Sequence, residues 1–249
     1  NSTAAPSIVS QQVIALDQRQ YRSSMPCDDD FIVVPCAEAR APDHTMLGQE
    51  QKSWFKGVLG ASTAKWKLAL SEVVVSPFAV PARPDRNGVR LGRDLYEENQ
   101  LGFTEDGLMF NLDAWDGFPT ERAELLNFIN REQIKNVVFA TGDVHAAFDI
   151  VLHPDGAVRG GDGCAVEVVG AAISSWPLQP GLTKIWGSDA NRILAEKNPQ
   201  FAWTDYASNG YTKLIFSEAA MTVERYAAES VTNARSAVRM VRRASVPAG

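Results

Sequence analysis

An acid and an imidazole stand two positions apart in TGDVH, residues 141 to 145, directly after the apolar run Val137, Val138, Phe139 and Ala140. A carboxylate and a neutral imidazole together offer a hard oxygen and a borderline nitrogen, which suits them to a shared metal ion. Gly142 allows a sharp turn without a Cβ clash, and side chains at i and i+2 of an extended segment point to the same side. Asp143 and His145 are therefore candidate metal ligands. A plainer reading fits the same residues: a turn-forming Asp beside a hydrogen-bonded His. The other histidines, His44 and His153, have no ligand spacing with one another. No G-x-S-x-G elbow is present, so Ser174 and Ser175 make a poor case for a nucleophile. The stretch GGDGC at 160–164 lacks the following helix that a phosphate-cradling loop needs, and it reads as a hairpin turn.

The elements that must position these residues alternate between strand and helix. A strand is expected at Val13 to Leu16. Helical spacing follows at Met46, Leu47, Trp54, Phe55, Val58 and Leu59, then a strand in AKWKLALSEVVV. TERAELLNFINREQI has an amphipathic pattern, with Thr120 as its cap, Glu121 in its first turn, and Leu125, Leu126 and Ile129 on one face. NVVFATGD comes next as a strand, so the order is that of an α/β sheet. At the carboxyl ends of such strands, loops converge over the sheet edge and ligands bind there. CAVEVVG, TKLIFSE and MTVERYAAE read as later strands. Residues 76 to 108 show no sustained period, and a stretch that long is commonly a functional covering segment.

Composition narrows the partners. The chain has 249 residues, 24 basic against 30 acidic, net charge −6. That length buries roughly three-quarters of the unfolded chain's surface, and the charge argues against nucleic acid or an anionic membrane as the main partner. No run approaches the roughly 18 apolar residues of a transmembrane span. The first residues, NSTAAPSIVSQQ, show no basic or apolar leader regions, so they do not read as a secretory signal. Cys27 and Cys36 lie in PCDDDFIVVPC; a small covalent loop and two separate thiols both fit that spacing. Cys164 reads as a small core residue.

Residues 112 to 148, LDAWDGFPTERAELLNFINREQIKNVVFATGDVHAAF, resemble the PhoD-type alkaline phosphatases of the metallophosphoesterase superfamily, in which W-D-G-[FY]-P, a helix and T-G-D-[VI]-H recur in this order. LDQRQYRS, the cysteine pair, HTMLGQEQKSWF, the AKWK strand, EVVGAAISS and NP…NGYTKL fall in the same order. The resemblance runs from about Val13 to Arg225.

That resemblance implies a layered α/β sandwich of the calcineurin-like metallophosphoesterase type and hydrolysis of phosphate mono- or diesters with Ca2+ and Fe3+. Such hydrolysis is among the slowest uncatalysed reactions, and cations at the phosphoryl group stabilise developing charge and acidify a bound water. By resemblance, Asp143 would serve the iron-type ion and His145 the calcium side. Trp115 and Asp116 would lie at the rim of the metal pocket as substrate-side residues, although an Asp there could also cap a helix. The family is exported, to the periplasm or outside the cell, which suits a Cys27–Cys36 disulfide. Gln200 stands where relatives carry His and is expected in a surface loop; His44 is expected to be exposed.

The family's earlier metal motifs are not found, and two ligands fall short of the six or more that a calcium ion takes. Residues 1–249 are therefore read as the carboxyl-terminal part of a catalytic domain, inactive or nearly so alone. Its expected partners are a phosphate-ester substrate and an absent amino-terminal half of the same domain. The alternative is a metal-free binding or structural descendant of the fold.

Overall fold

The computed structural model describes residues 9–29, 35–81, 108–156 and 158–249. It contains β1 (Gln11–Ala15), α1 (Gly48–Ala61), β2 (Trp66–Leu70), α2 (Pro119–Arg131), β3 (Val137–Thr141), β4 (Ala147–Leu152) and β5 (Ala165–Val169). These are followed by α3 (Gln179–Trp186), α4 (Ala190–Lys197), β6 (Phe201–Asp205), β7 (Gly210–Phe216), β8 (Ala220–Ala228) and β9 (Val238–Pro247). Six strands form one sheet in the order β1-β2-β3-β5-β4-β6, and β7-β8-β9 form a second. The pairs β1/β2, β2/β3 and β3/β5 are parallel, while β4 runs antiparallel to both β5 and β6. Parallel neighbours need a crossover; α1 and α2 supply the first two.

The apolar run before TGDVH has its explanation in this layering. Val137 and Phe139 face a core filled by Phe55, Leu59, Leu125, Leu126 and Ile129 of the two helices. Val138, one residue out of phase, faces a second core with Trp66, Val168, Met221 and Val223. A strand covered on both faces carries no polar alternation, because neither side meets water. The second core closes against the three-stranded sheet. There Asp149 of β4 receives the guanidinium of Arg225 from β8 and, at 2.9 Å, that of Arg242 from β9. Both arginines lie over the Trp203 ring, at 5.2 and 4.9 Å.

Several expectations need correction. Thr120 does not cap α2: Pro119 opens the helix, with φ already suited to it, and the Thr120 hydroxyl donates to the carbonyl of Arg40 at 2.9 Å. Glu121 does lie in the first turn of α2, and its carboxylate reaches the other helix, accepting the Leu47 N–H at 3.0 Å and the Thr45 hydroxyl at 2.5 Å, just before α1 begins. His44 is buried and stacks on Phe118 with ring centroids 4.6 Å apart. Gln200, in the turn before β6, is buried too and donates to the Pro77 carbonyl at 2.8 Å, so it is an interior tie rather than a surface residue. Cys27 and Cys36 are disulfide-bonded, with Cα atoms 5.7 Å apart. Most of the irregular stretch from 76 to 108 lies outside the described residues. The Ala79–Met109 bridge joins the chain on either side of residues 82–107. Among the described residues, no helix is long and apolar enough to cross a membrane.

Candidate metal site at the carboxyl edge of the parallel strands

β3 ends at Thr141, and the chain must then pass over the end of β5 to start β4 on its far side. It does so through a kinked turn. Asp143 and His145 both have positive φ, 69° and 55°, and the Val144 N–H donates to the Gly142 carbonyl at 2.8 Å. The expectation of an extended segment is therefore corrected: alternate residues sit in the left-handed region, so the i, i+2 rule does not orient them. Aspartate and histidine are among the few side chains found there with any frequency. Each such residue stores of order 1–3 kcal/mol, and such strain clusters at functional sites. Both side chains are exposed.

His145 is oriented by its neighbour. Its Nδ1 lies 2.9 Å from the carbonyl oxygen of Trp176, in the loop after β5. A carbonyl only accepts, so Nδ1 must carry the proton and Nε2 keeps its free lone pair. Histidines that bind metal commonly make this second contact, which sets tautomer and ring direction. The imidazole therefore fits a metal ligand through Nε2.

Around Asp143 the strand ends bring together charges that the sequence spacing did not mark. Arg19, just beyond β1, has its pKa raised mainly by its hydrogen bond to Asp113, with smaller contributions from the charges of Asp143 and Glu72. Asp113 accepts from both Arg19, at 2.7 Å, and Arg22, at 2.6 Å. These bonds and burial act on it in opposite directions, and its pKa is lowered. Asp17 holds the loop with paired bonds to the amides of Arg19 and Gln20, each 2.9 Å. LDQRQYRS was the available signal for this group, but nothing in its composition said that Arg19 would reach the end of β3. Ser71 acts here as a support, accepting from Gln18 Nε2 at 2.9 Å.

Trp115 and Asp116 are buried, in a short 3-10 turn from Trp115 to Gly117 before α2. Asp116 pairs with Arg122 at 2.8 Å and accepts the Phe78 N–H at 3.3 Å. Burial nonetheless leaves its pKa raised. Asp116 and Asp143 share the lining of one small pocket, about 10 Å3, with Ser76, Phe78, Asn111 and Val144. Among the described residues no group of three or more His, Cys, Asp or Glu gathers as a metal cluster.

Glu167 of β5 ties the floor together. Fully buried, it accepts the amides of Val75 and Ser76, each at 2.8 Å, and the Thr141 hydroxyl at 2.9 Å. Burial pushes its carboxyl up to about 7, and the three donors only partly oppose this. The folded state therefore holds a proton that the unfolded chain releases above its ordinary carboxylate range. The stability that this group contributes is fully present at low pH and is lost as pH rises toward 7. Relative to wild type, Glu167→Gln should gain on the order of 3 kcal/mol between pH 4.5 and 7.5. Urea unfolding of both proteins across that range checks it, and a pH-independent difference would contradict it.

Residues 10–225 match the family model described as PhoD-like phosphatase. Alkaline phosphatase D of Bacillus subtilis (strain 168) is 32% identical over 201 residues, covering 80% of this chain and 29% of that protein. The chain solved as "Structure of PhoD" is similar in fold, with a TM-score of 0.75 at 24% identity, over 96% of this chain and 40% of that one. This chain thus spans well under half the length of either. The matches overturn the expectation that an absent amino-terminal half is this chain's partner: the family is matched from residue 10 onward, and the fold likeness takes in 96% of the chain. Physically, the matched residues already pack both faces of the β3 strand within this chain.

Proposed function

This chain belongs to the PhoD-like phosphatase family, and from that premise we propose that it hydrolyses phosphate mono- or diesters at a metal site to which Asp143 and His145 contribute ligands. The observation that carries this reading is the His145 ring: the Trp176 carbonyl occupies Nδ1 and, among the described residues, leaves Nε2 without a partner on the same kinked turn as an exposed carboxylate. Ca2+ and Fe3+ are the proposed ions, Asp143 serving the iron-type position and His145 the calcium side; bound there, they supply Lewis acidity and an acidified water.

The chain's own residues do the rest. Arg19, held at 2.7 Å by Asp113, presents a fixed cation to an anionic ester arriving at the strand ends. Asp116 lies in the same small pocket as Asp143, and we assign Asp116 to the substrate-side wall of the site, with the buried Trp115 preceding it in the same short turn. An exported location, periplasmic or secreted, fits the family and the Cys27–Cys36 bond, since disulfides persist in oxidising compartments.

Metal content of the purified chain, measured together with turnover of bis(p-nitrophenyl) phosphate before and after chelation, tests the reading. Turnover that disappears with chelator and returns with Ca2+ and Fe3+ is expected. Equal turnover after complete metal removal would refute the metal assignment, and ester binding without turnover under any loading would favour the binding descendant.

A further inference from the structure

The loop after β5 that orients His145 also carries the most exposed large apolar side chains among the described residues. Trp176 is 86% exposed and Ile173 77%. An indole left in water forfeits the favourable burial that most tryptophans find, so its display needs a cause. Loose attachment is not that cause. The Asn209 side chain donates to the carbonyls of Ala172 and Ser175 at 3.1 and 2.7 Å, and the Gly210 N–H donates to Ala172 at 2.9 Å. On the other side, the Leu178 N–H donates to the His145 carbonyl at 3.0 Å, completing with the Trp176 carbonyl a two-point bond to the candidate ligand. Pro177 further limits the Trp176 backbone to extended conformations. A rigid apolar shelf is therefore bolted directly to the metal-binding turn.

Resting on the phosphoesterase reading above, we propose that Trp176 is the specificity-determining contact of this site, and that it selects phosphate esters carrying a flat aromatic substituent, which stacks on the indole face. The Arg19 cation near Asp143 is itself faced by Asp113 and Glu72, so it and any bound cations attract the phosphoryl group of every ester alike and do not distinguish one substituent from another. Stacking supplies affinity without another cation, since every aromatic ring offers a π face to an indole. Two sources share that chemistry, simple aryl esters and nucleotides.

Calorimetric binding of phenyl phosphate, adenosine 5′-monophosphate and methyl phosphate to the chain in calcium buffer tests the proposal without requiring turnover. At least one of the two aromatic ligands should bind about tenfold more tightly than methyl phosphate; Trp176→Ala should abolish that preference and Trp176→Phe should retain most of it. Whichever aromatic ligand binds more tightly identifies the source. Equal affinity for all three ligands, unchanged in Trp176→Ala, would overturn the shelf while leaving the hydrolase reading in place. Absence of binding by any phosphate ligand would overturn both. Loss in Trp176→Ala of binding to phosphatidylcholine vesicles, with no aromatic preference, would overturn the stacking role in favour of a lipid surface.

Discussion

Asp143→Asn and His145→Asn should each lower metal affinity and ester turnover by on the order of a hundredfold or more, since loss of a supporting contact alone costs 10–100-fold and a ligand matters at least as much. Asparagine is the substitution of choice at both positions because φ is 69° and 55° there. Among non-glycine residues it enters the left-handed region with little strain, whereas alanine would add roughly 1–2 kcal/mol of backbone cost and confuse a lost ligand with a disturbed turn. Both side chains are exposed and neither belongs to a hydrophobic core, so thermal unfolding should be almost unchanged. Metal calorimetry and turnover measured beside the melting curve check the prediction. Retention of full metal affinity in both variants would remove these residues from the site.

Arg122→Met should produce the largest loss of stability, about 3–5 kcal/mol, because it leaves Asp116 as an uncompensated buried charge. In the native protein the pair is 2.8 Å apart with both side chains at least 95% buried. Burial already raises the Asp116 pKa against the opposing effect of Arg122; without Arg122 it should rise further, and the variant should bind a proton on folding at a pH where the wild type does not. For a chain of this length the melting temperature should fall by on the order of 10 °C. The double variant Asp116→Asn with Arg122→Met should recover part of the loss, since it removes the stranded charge and not only its partner. Additive losses in that double-mutant cycle would show that the pair is not coupled.

The two variants separate what composition and pattern reveal from what they hide. The apolar run from Val137 to Ala140 reads as a buried strand because covering both faces eliminates polar alternation, and that inference needs no neighbour. The same holds for the helix carrying Leu125, Leu126 and Ile129, whose 3.6-residue spacing is a local property. W-D-G-F-P and T-G-D-V-H, with the motifs around them, place the chain in its family for a similar reason: they are read along the backbone. Thr120 shows where local signals fail. It has the residue type of a cap, but Pro119 starts the helix and the hydroxyl turns to Arg40. Gln200 and His44 read as exposed residues by their local surroundings, but their burial depends on what packs over them.

From its sequence alone, then, this protein's family, its alternation of strands and helices, and the two candidate ligands at a strand end were determined, because each rests on residues close together in the chain. The tertiary structure decided the left-handed turn that aims Asp143 and His145, the Trp176 carbonyl that selects the His145 tautomer, the approach of Arg19, and the Glu167 tie beneath them. Apart from the turn itself, those features join positions 26 to more than 120 residues apart. Only the packing of parallel strand ends over a common core brings such distant groups within hydrogen-bonding or electrostatic reach.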